Sequence, residues 1–94
     1  MEPHVRISAR ALIGDGARLV MYWNKEEQFY FLPGGGLELM EDLKTGLARE
    51  LKEELSFEAP IDDFVGCIEN HWQYRGQVYQ EFCFVFRMSA PTTW

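Results

Sequence analysis

The sequence predicts an α+β fold: a mixed β-sheet with one helix packed on a face. Three observations predict it. Short β-rich runs recur at residues 5–13, 18–23, 28–32, 64–74 and 77–88, separated by turn residues. Only residues 41–55 carry helical periodicity, with Leu43, Leu47, Leu51 and Leu55 forming one apolar stripe. The length, 94 residues, suits one small domain over residues 1–94 and no more.

The elements follow in order. Residues 5–13 read as a first strand, ended by the hairpin-type turn Gly14-Asp15-Gly16. Residues 18–23 read as a second strand and 24–27 as a polar turn. Residues 28–32 make a short third strand, which Pro33 stops. Gly34-Gly35-Gly36 reads as a tight turn, with room for a brief strand over 36–39. The helix is expected from about residue 41 to 55, with Glu41 and Asp42 in its first turn, where the positive end of the dipole favours them. Gly46 inside it costs about 1 kcal/mol relative to Ala and so marks close packing. Residues 58–62, with Pro60, read as irregular. The last two runs read as a hairpin about Arg75-Gly76. There are no repeats, low-complexity segments or linkers.

Composition narrows the function classes. Hydrophobic residues make up 47% and aromatics 15%, a globular balance. The formal net charge of −6 disfavours binding of a nucleic acid duplex through its backbone. The N-terminus lacks the basic start and apolar run of a signal peptide, and no apolar stretch is long enough to span a bilayer. The expectation is a cytoplasmic protein without membrane partners. Cys67 and Cys83 have no metal or redox spacing. With a two-residue turn at Arg75-Gly76, Cys67 pairs with Phe84 and Cys83 with Ile68. The thiols then lie on opposite sides of the sheet and stay free.

The chemistry concentrates in the helix. Glu50, Glu53 and Glu54 stand at i, i+3 and i+4 and share a face, which borders the leucine stripe rather than opposing it. One reading is a solvated face aided by an Arg49–Glu53 pair. The other is a metal site: clustered carboxylates repel one another unless a cation sits among them, and hard oxygen ligands suit Mg²⁺. The glycine triplet also has two readings, a plain tight turn or a backbone cradle for phosphate.

The wider spacing favours the metal site. Gly35, five residues, Glu41, seven residues, then Arg49-Glu50-Leu51-Lys52-Glu53-Glu54-Leu55-Ser56-Phe57 resembles the Nudix box, and Leu32-Pro33-Gly34-Gly35 resembles the entry to it. Ser56 stands where the box has Gly, Phe57 takes the closing aliphatic place, and Met40 occupies a site where many members have Gly. The resemblance implies hydrolysis of a pyrophosphate bond in a nucleoside diphosphate linked to another group. It implies Mg²⁺, with Mn²⁺ as a substitute, held by Glu50, Glu53, Glu54 and the carbonyl of Gly34. It makes Gly34, Gly35 and Gly36 substrate-binding, Arg49 an orienting residue, and Glu41 a support for the helix start and Arg49. Some members take the general base from the box and others from a downstream carboxylate, for which Glu81 is the best candidate. Glu81 reads equally as an exposed strand residue in a salt bridge. His71 reads as structural or exposed. Trp23, Tyr30, Phe31, Trp72 and Tyr74 have the chemistry to stack on a base, but as strand aromatics they read first as core.

The family fold also has a late second helix that covers the other face of the sheet, and this sequence shows no candidate for it. In residues 82–86 the phenylalanines point to one face and Cys83 and Val85 to the other, so both faces need cover. The expectation is either that another subunit meets the uncovered face, a homodimer being favoured, or that the chain is a fragment of a longer protein. Two functions stay open: a Mg²⁺-dependent diphosphate hydrolase, or a catalytically silent Nudix-like domain that binds a nucleotide or a protein.

Overall fold

The computed structural model describes residues 3–91. Six strands and one helix follow one another as β1 (Pro3–Gly14), β2 (Tyr22–Asn24), β3 (Phe29–Phe31), β4 (Gly34–Gly36), α1 (Leu43–Leu55), β5 (Phe64–Tyr74) and β6 (Gln77–Ser89). The main sheet has the order β4-β1-β6-β5, and β2 and β3 form a separate two-stranded ribbon. β1 runs parallel to β6 and antiparallel to β4, so the sheet is mixed, as expected.

The alternation of β1 sorts the molecule into two faces. Ala9, Ala11 and Ile13 pair in register with Phe84, Phe86 and Met88 on β6. Leu47 and Leu51 of α1 close over this face, and together with Phe57 these residues make the core. His4, Arg6, Ser8 and Arg10 alternate onto the other face, level with Tyr79, Glu81, Cys83 and Val85. That face is not left bare at its centre: Ser8 is fully buried, and Cys83 and Val85 are each only 3% exposed. Cys83 and Val85 themselves are thus covered, while Ile68 and Trp72, level with Cys83 and Tyr79 on the same face, stay 48% and 38% exposed. The chain between β3 and β4 comes up to this side, where Arg10 donates to the Leu32 carbonyl at 2.8 Å.

The closing hairpin forms in the expected register, with Tyr74 opposite Gln77, Cys67 opposite Phe84 and Ile68 opposite Cys83. Arg75 and Gly76 both take positive φ, 49° and 75°, the geometry whose twist matches the flanking strands. Both cysteines are free.

Three local expectations need correction. The second strand does not span 18–23; after a single bridge from Leu19 to Gly14 the chain leaves the sheet, and β2 starts at Tyr22. The cause is competition for one edge of β1. Val20 takes the Ile13 carbonyl there, and the chain around β4 takes the rest, from Ala11 N–H to the Pro33 carbonyl down to Leu37 N–H and the Ile7 carbonyl. Second, the glycine run is itself a strand, β4, and no strand forms over 36–39. Third, α1 starts at Leu43 rather than Glu41, so its first turn holds no acid. Asp42 is the N-cap, its carboxylate accepting from Thr45 N–H at 2.8 Å. At the other end Ser56 adopts the left-handed conformation (φ 52°, ψ 37°) that the family's Gly would supply.

No helix among the described residues is long and apolar enough to cross a membrane, which says nothing of β-barrels.

Candidate active site

The site is the contact between α1 and β4. In the β1–β4 ladder, Pro33 and Leu37 spend their backbone groups on β1, at 2.9 and 3.0 Å. By alternation Gly34 and Gly36 turn theirs to the outer edge. An open edge of this kind needs partners, and α1 provides them. Glu54 Oε1 accepts from Gly34 N–H at 2.9 Å, and Arg49 Nη2 donates to the Gly36 carbonyl at 3.2 Å. The helix is thus docked by its box side chains as well as by Leu47 and Leu51.

The glycines are required for this fit. Gly34 has φ 134°, and a Cβ there would run into the Ala9 carbonyl oxygen and stand 2.7 Å from Arg10 Cα. A Cβ on Gly35 would stand 2.8 Å from the Glu50 carboxyl carbon. Gly46 is as crowded as its cost implied: a Cβ would meet Leu37 Cδ2 and come within 2.8 Å of Glu41 Oε1. The Gly34 N–H, expected to face a phosphate, is engaged by Glu54.

Arg49 is the hub. Its Nε and Nη2 meet both oxygens of Glu41, at 2.7 and 3.0 Å, and its Nη1 meets Glu50 at 3.1 Å and Glu53 at 3.5 Å. Glu41 also accepts from Glu38 N–H at 2.9 Å. The Arg49 fork and that backbone bond hold the Glu41 carboxyl down at about 2. The bonds to Glu41 first, and then to Glu50, push Arg49 well above its ordinary value against the opposing effect of burial. Arg49 thus touches Glu41, Glu50 and Glu53 at once, and Glu41 is held by Arg49 while Asp42 caps the helix start.

The three box carboxylates are divided in their attachments. Glu50 and Glu53 lean on Arg49, with Glu53 well exposed, while Glu54 turns to Gly34. Among the described residues no group of three or more acidic, His or Cys side chains is gathered as a metal shell. Their chemistry nevertheless fits a hard cation. Burial raises the Glu54 carboxyl above its ordinary value and Glu50 and Glu53 add to this, against the Gly34 N–H and Arg10, which lower it.

Glu81 is not the exposed residue its bland reading supposed: it is 8% exposed, and its Oε1 lies 3.5 Å from Asn70 Nδ2. It sits on the Arg6–Ser8–Arg10 face, across β1 from the glycine strand. His71 is on the opposite face, exposed and bonded to Glu69 at 2.7 Å. The reading of the candidate aromatics as core fails for Trp23, Tyr30, Trp72 and Tyr74, which are 38–62% exposed, and Tyr74 lies under Arg75. Trp23 packs on Tyr30 across the ribbon, Trp72 stacks on Tyr79, and Phe31 lies under Arg10, whose guanidinium is 5.5 Å from the ring centre. Sequence reasoning missed Arg6 and Arg10. The signal was present: His4, Arg6, Ser8 and Arg10 alternate with Val5, Ile7, Ala9 and Ala11.

Fold and site together define an α+β domain in which a carboxylate-rich helix closes the outer edge of a glycine strand. Residues 3–93 match the NUDIX domain family, and the chain belongs to that family. A curated MutT-like protein from Streptomyces ambofaciens is 34% identical over 62 residues, covering 66% of this chain and 40% of the relative. The chain therefore spans well under half of that relative's length. Among solved structures, the MutT protein from Methanosarcina mazei Go1 superposes with a TM-score of 0.80 at 24% identity, over 98% of this chain and 69% of that one. A MutT NUDIX hydrolase from Burkholderia pseudomallei gives 0.72 at 19% identity, over 94% and 69%. The Ap4A hydrolase of C. elegans gives 0.65 at 16%, over 93% and 70%. At these identities the structures establish the shared fold.

Proposed function

We propose that the chain is a Nudix-type hydrolase that cleaves the pyrophosphate bond of a nucleoside diphosphate linked to another group, with Mg²⁺ as cofactor and Mn²⁺ as a substitute. The observation that carries this reading is the docking of the box: Glu50, Glu53 and Glu54 are presented by one helix beside a strand that has no side chains. Glu50, Glu53 and Glu54, with the Gly34 carbonyl at the same edge, are the residues that would hold the metal. A bound divalent cation supplies charge neutralisation of the diphosphate and a more acidic water.

The chain's own residues do the rest. Arg49 fixes Glu50 and Glu53 and keeps α1 on β4. The glycine strand lets a phosphate approach the backbone without steric conflict. Glu81, on the neighbouring face, is the candidate acceptor of a proton from the attacking water.

The test is release of nucleoside monophosphate or phosphate from a panel of nucleoside diphosphate derivatives, with and without Mg²⁺. Metal-dependent release from at least one compound is expected. No release from any, with nucleotide binding retained, would replace this reading with a silent binding domain.

A further inference from the structure

Arg18, Arg49, Lys52 and Arg87 each sit against a carboxylate. Among the described residues the other five of the nine Lys and Arg side chains, Arg6, Arg10, Lys25, Lys44 and Arg75, have no carboxylate within ion-pair distance, although acidic residues outnumber Lys and Arg by 15 to 9. Arg75 lies over the Tyr74 ring, and Arg6 and Arg10 stand on one face of one strand. Both project from the same face of β1, and both reach β4. Gly34 is opposite Arg10 and Gly36 is opposite Ser8. Arg6 Nη2 lies 3.9 Å from where a Cβ on Gly36 would stand, so Arg6 leans from its own level toward Arg10. Arg10 Cγ lies 3.0 Å from the corresponding point on Gly34. The Leu32 carbonyl at 2.8 Å and the Phe31 ring at 5.5 Å fix the direction of Arg10, and Glu54 is near enough to feel its charge without forming an ion pair with it.

We propose that Arg6 and Arg10 form an anion clamp over the glycine strand, and that it takes the phosphate chain of the substrate on the side away from the box carboxylates. The proposal rests on the diphosphate reading above. The planar guanidinium fork matches phosphate oxygens two at a time, which an ammonium cannot do. Glycines at 34 and 36 keep the β4 side of the clamp free of side chains, with Ser8 between the two arginines on β1. The two arginines neutralise a diphosphate from the sheet side by themselves, so the clamp binds phosphate without metal.

The experiment is calorimetric titration with inorganic pyrophosphate, and separately with ADP, in EDTA at low and moderate salt. The wild-type chain is expected to bind both, more weakly as salt rises. Arg6→Gln and Arg10→Gln should each weaken binding at least tenfold, and Lys52→Gln, the loss of an exposed cation paired with Glu58, should not weaken it. With Mg²⁺ present, Arg6→Gln should raise KM more than it lowers kcat. Arg10 also holds the Leu32 carbonyl, so a thermal melt accompanies that variant. Arg6 makes no such bond, and Arg6→Gln decides the matter if Arg10→Gln unfolds. Binding by Arg6→Gln equal to wild type, or no metal-free binding by the wild type, overturns the clamp. Absent hydrolysis alongside arginine-dependent pyrophosphate binding would overturn the hydrolase reading and leave the clamp standing.

Discussion

Glu54 accepts the amide proton of Gly34 at 2.9 Å, joining the helix to the outer edge of the glycine strand across twenty residues of sequence. One carboxylate thus has a structural bond and a place in the proposed metal site, and two substitutions separate these. Glu54→Gln keeps an oxygen to accept from Gly34 but loses the charge. It should melt near wild type while nucleoside monophosphate release with Mg²⁺ falls at least a hundredfold, which lost metal charge stabilisation of several kcal/mol readily accounts for. Glu54→Ala leaves the amide unsatisfied and should also lose about 1 kcal/mol of stability by denaturant melt. Near-normal release by Glu54→Gln would remove Glu54 from the metal site.

The Glu41–Arg49 fork predicts an acid limb. Glu41 titrates at about 2 in the folded chain against an ordinary 4.5, so between these values the unfolded state holds more protons. Its contribution is complete above the ordinary value and is lost as pH falls through the folded one. Urea melts between pH 5 and pH 2 should show this loss, and Glu41→Gln should flatten that part of the curve. An unchanged slope in the variant would show that other carboxylates set it.

Helix propensity alone says Gly46→Ala should stabilise α1 by about 1 kcal/mol. The structure reverses the sign. The new methyl would meet Leu37 Cδ2 and stand 2.8 Å from Glu41 Oε1, and Glu41 is pinned by Arg49. A lower melting temperature is expected, and a higher one would mean that Leu37 and Glu41 can yield.

Ser56→Gly is the converse case. Ser56 sits at φ 52° with its N–H on the Lys52 carbonyl, a backbone geometry that Gly adopts without steric cost. The substitution should raise stability by about 0.5–1 kcal/mol with turnover unchanged.

The two thiols should differ in reactivity. Cys67 is exposed, whereas Cys83 is buried and its thiol is raised, chiefly by that burial. A disulfide-exchange reagent at pH 8 should find one fast group in the native chain and two after unfolding. Two fast groups would mean that the Cys83 face opens readily.

What was legible in the sequence was local. The leucine stripe gave the helix body, Arg75-Gly76 gave the hairpin register, and the box spacing picked out the side chains that join α1 to β4. What was hidden depended on distant partners. Gly34–Gly36 has no strand preference of its own and becomes β4 because β1 and the box side chains bond its two edges. The second strand is cut short because the chain around β4 competes for the same edge of β1. Asp42 outcompetes Glu41 for the cap because its shorter side chain reaches Thr45 N–H, which leaves Glu41 for Arg49. Arg6 and Arg10 belong to no motif, and only the period-two pattern of the first strand marks the face they share.

The parallel register of β1 and β6 has a kinetic consequence. Every residue from Pro3 to Gly14 pairs with one seventy-five positions later. The two central strands of the sheet therefore cannot join until the loop containing the ribbon, the glycine strand, the helix and β5 has closed. Loop closure of that kind costs entropy before any contact repays it, and proteins dominated by such pairings refold on the order of milliseconds to seconds. During synthesis, α1 and the glycine strand leave the ribosome well before Met88, the residue that completes the core beside Ile13. Until then the helix has no finished sheet to rest on, so the site is among the last parts of the domain to assemble.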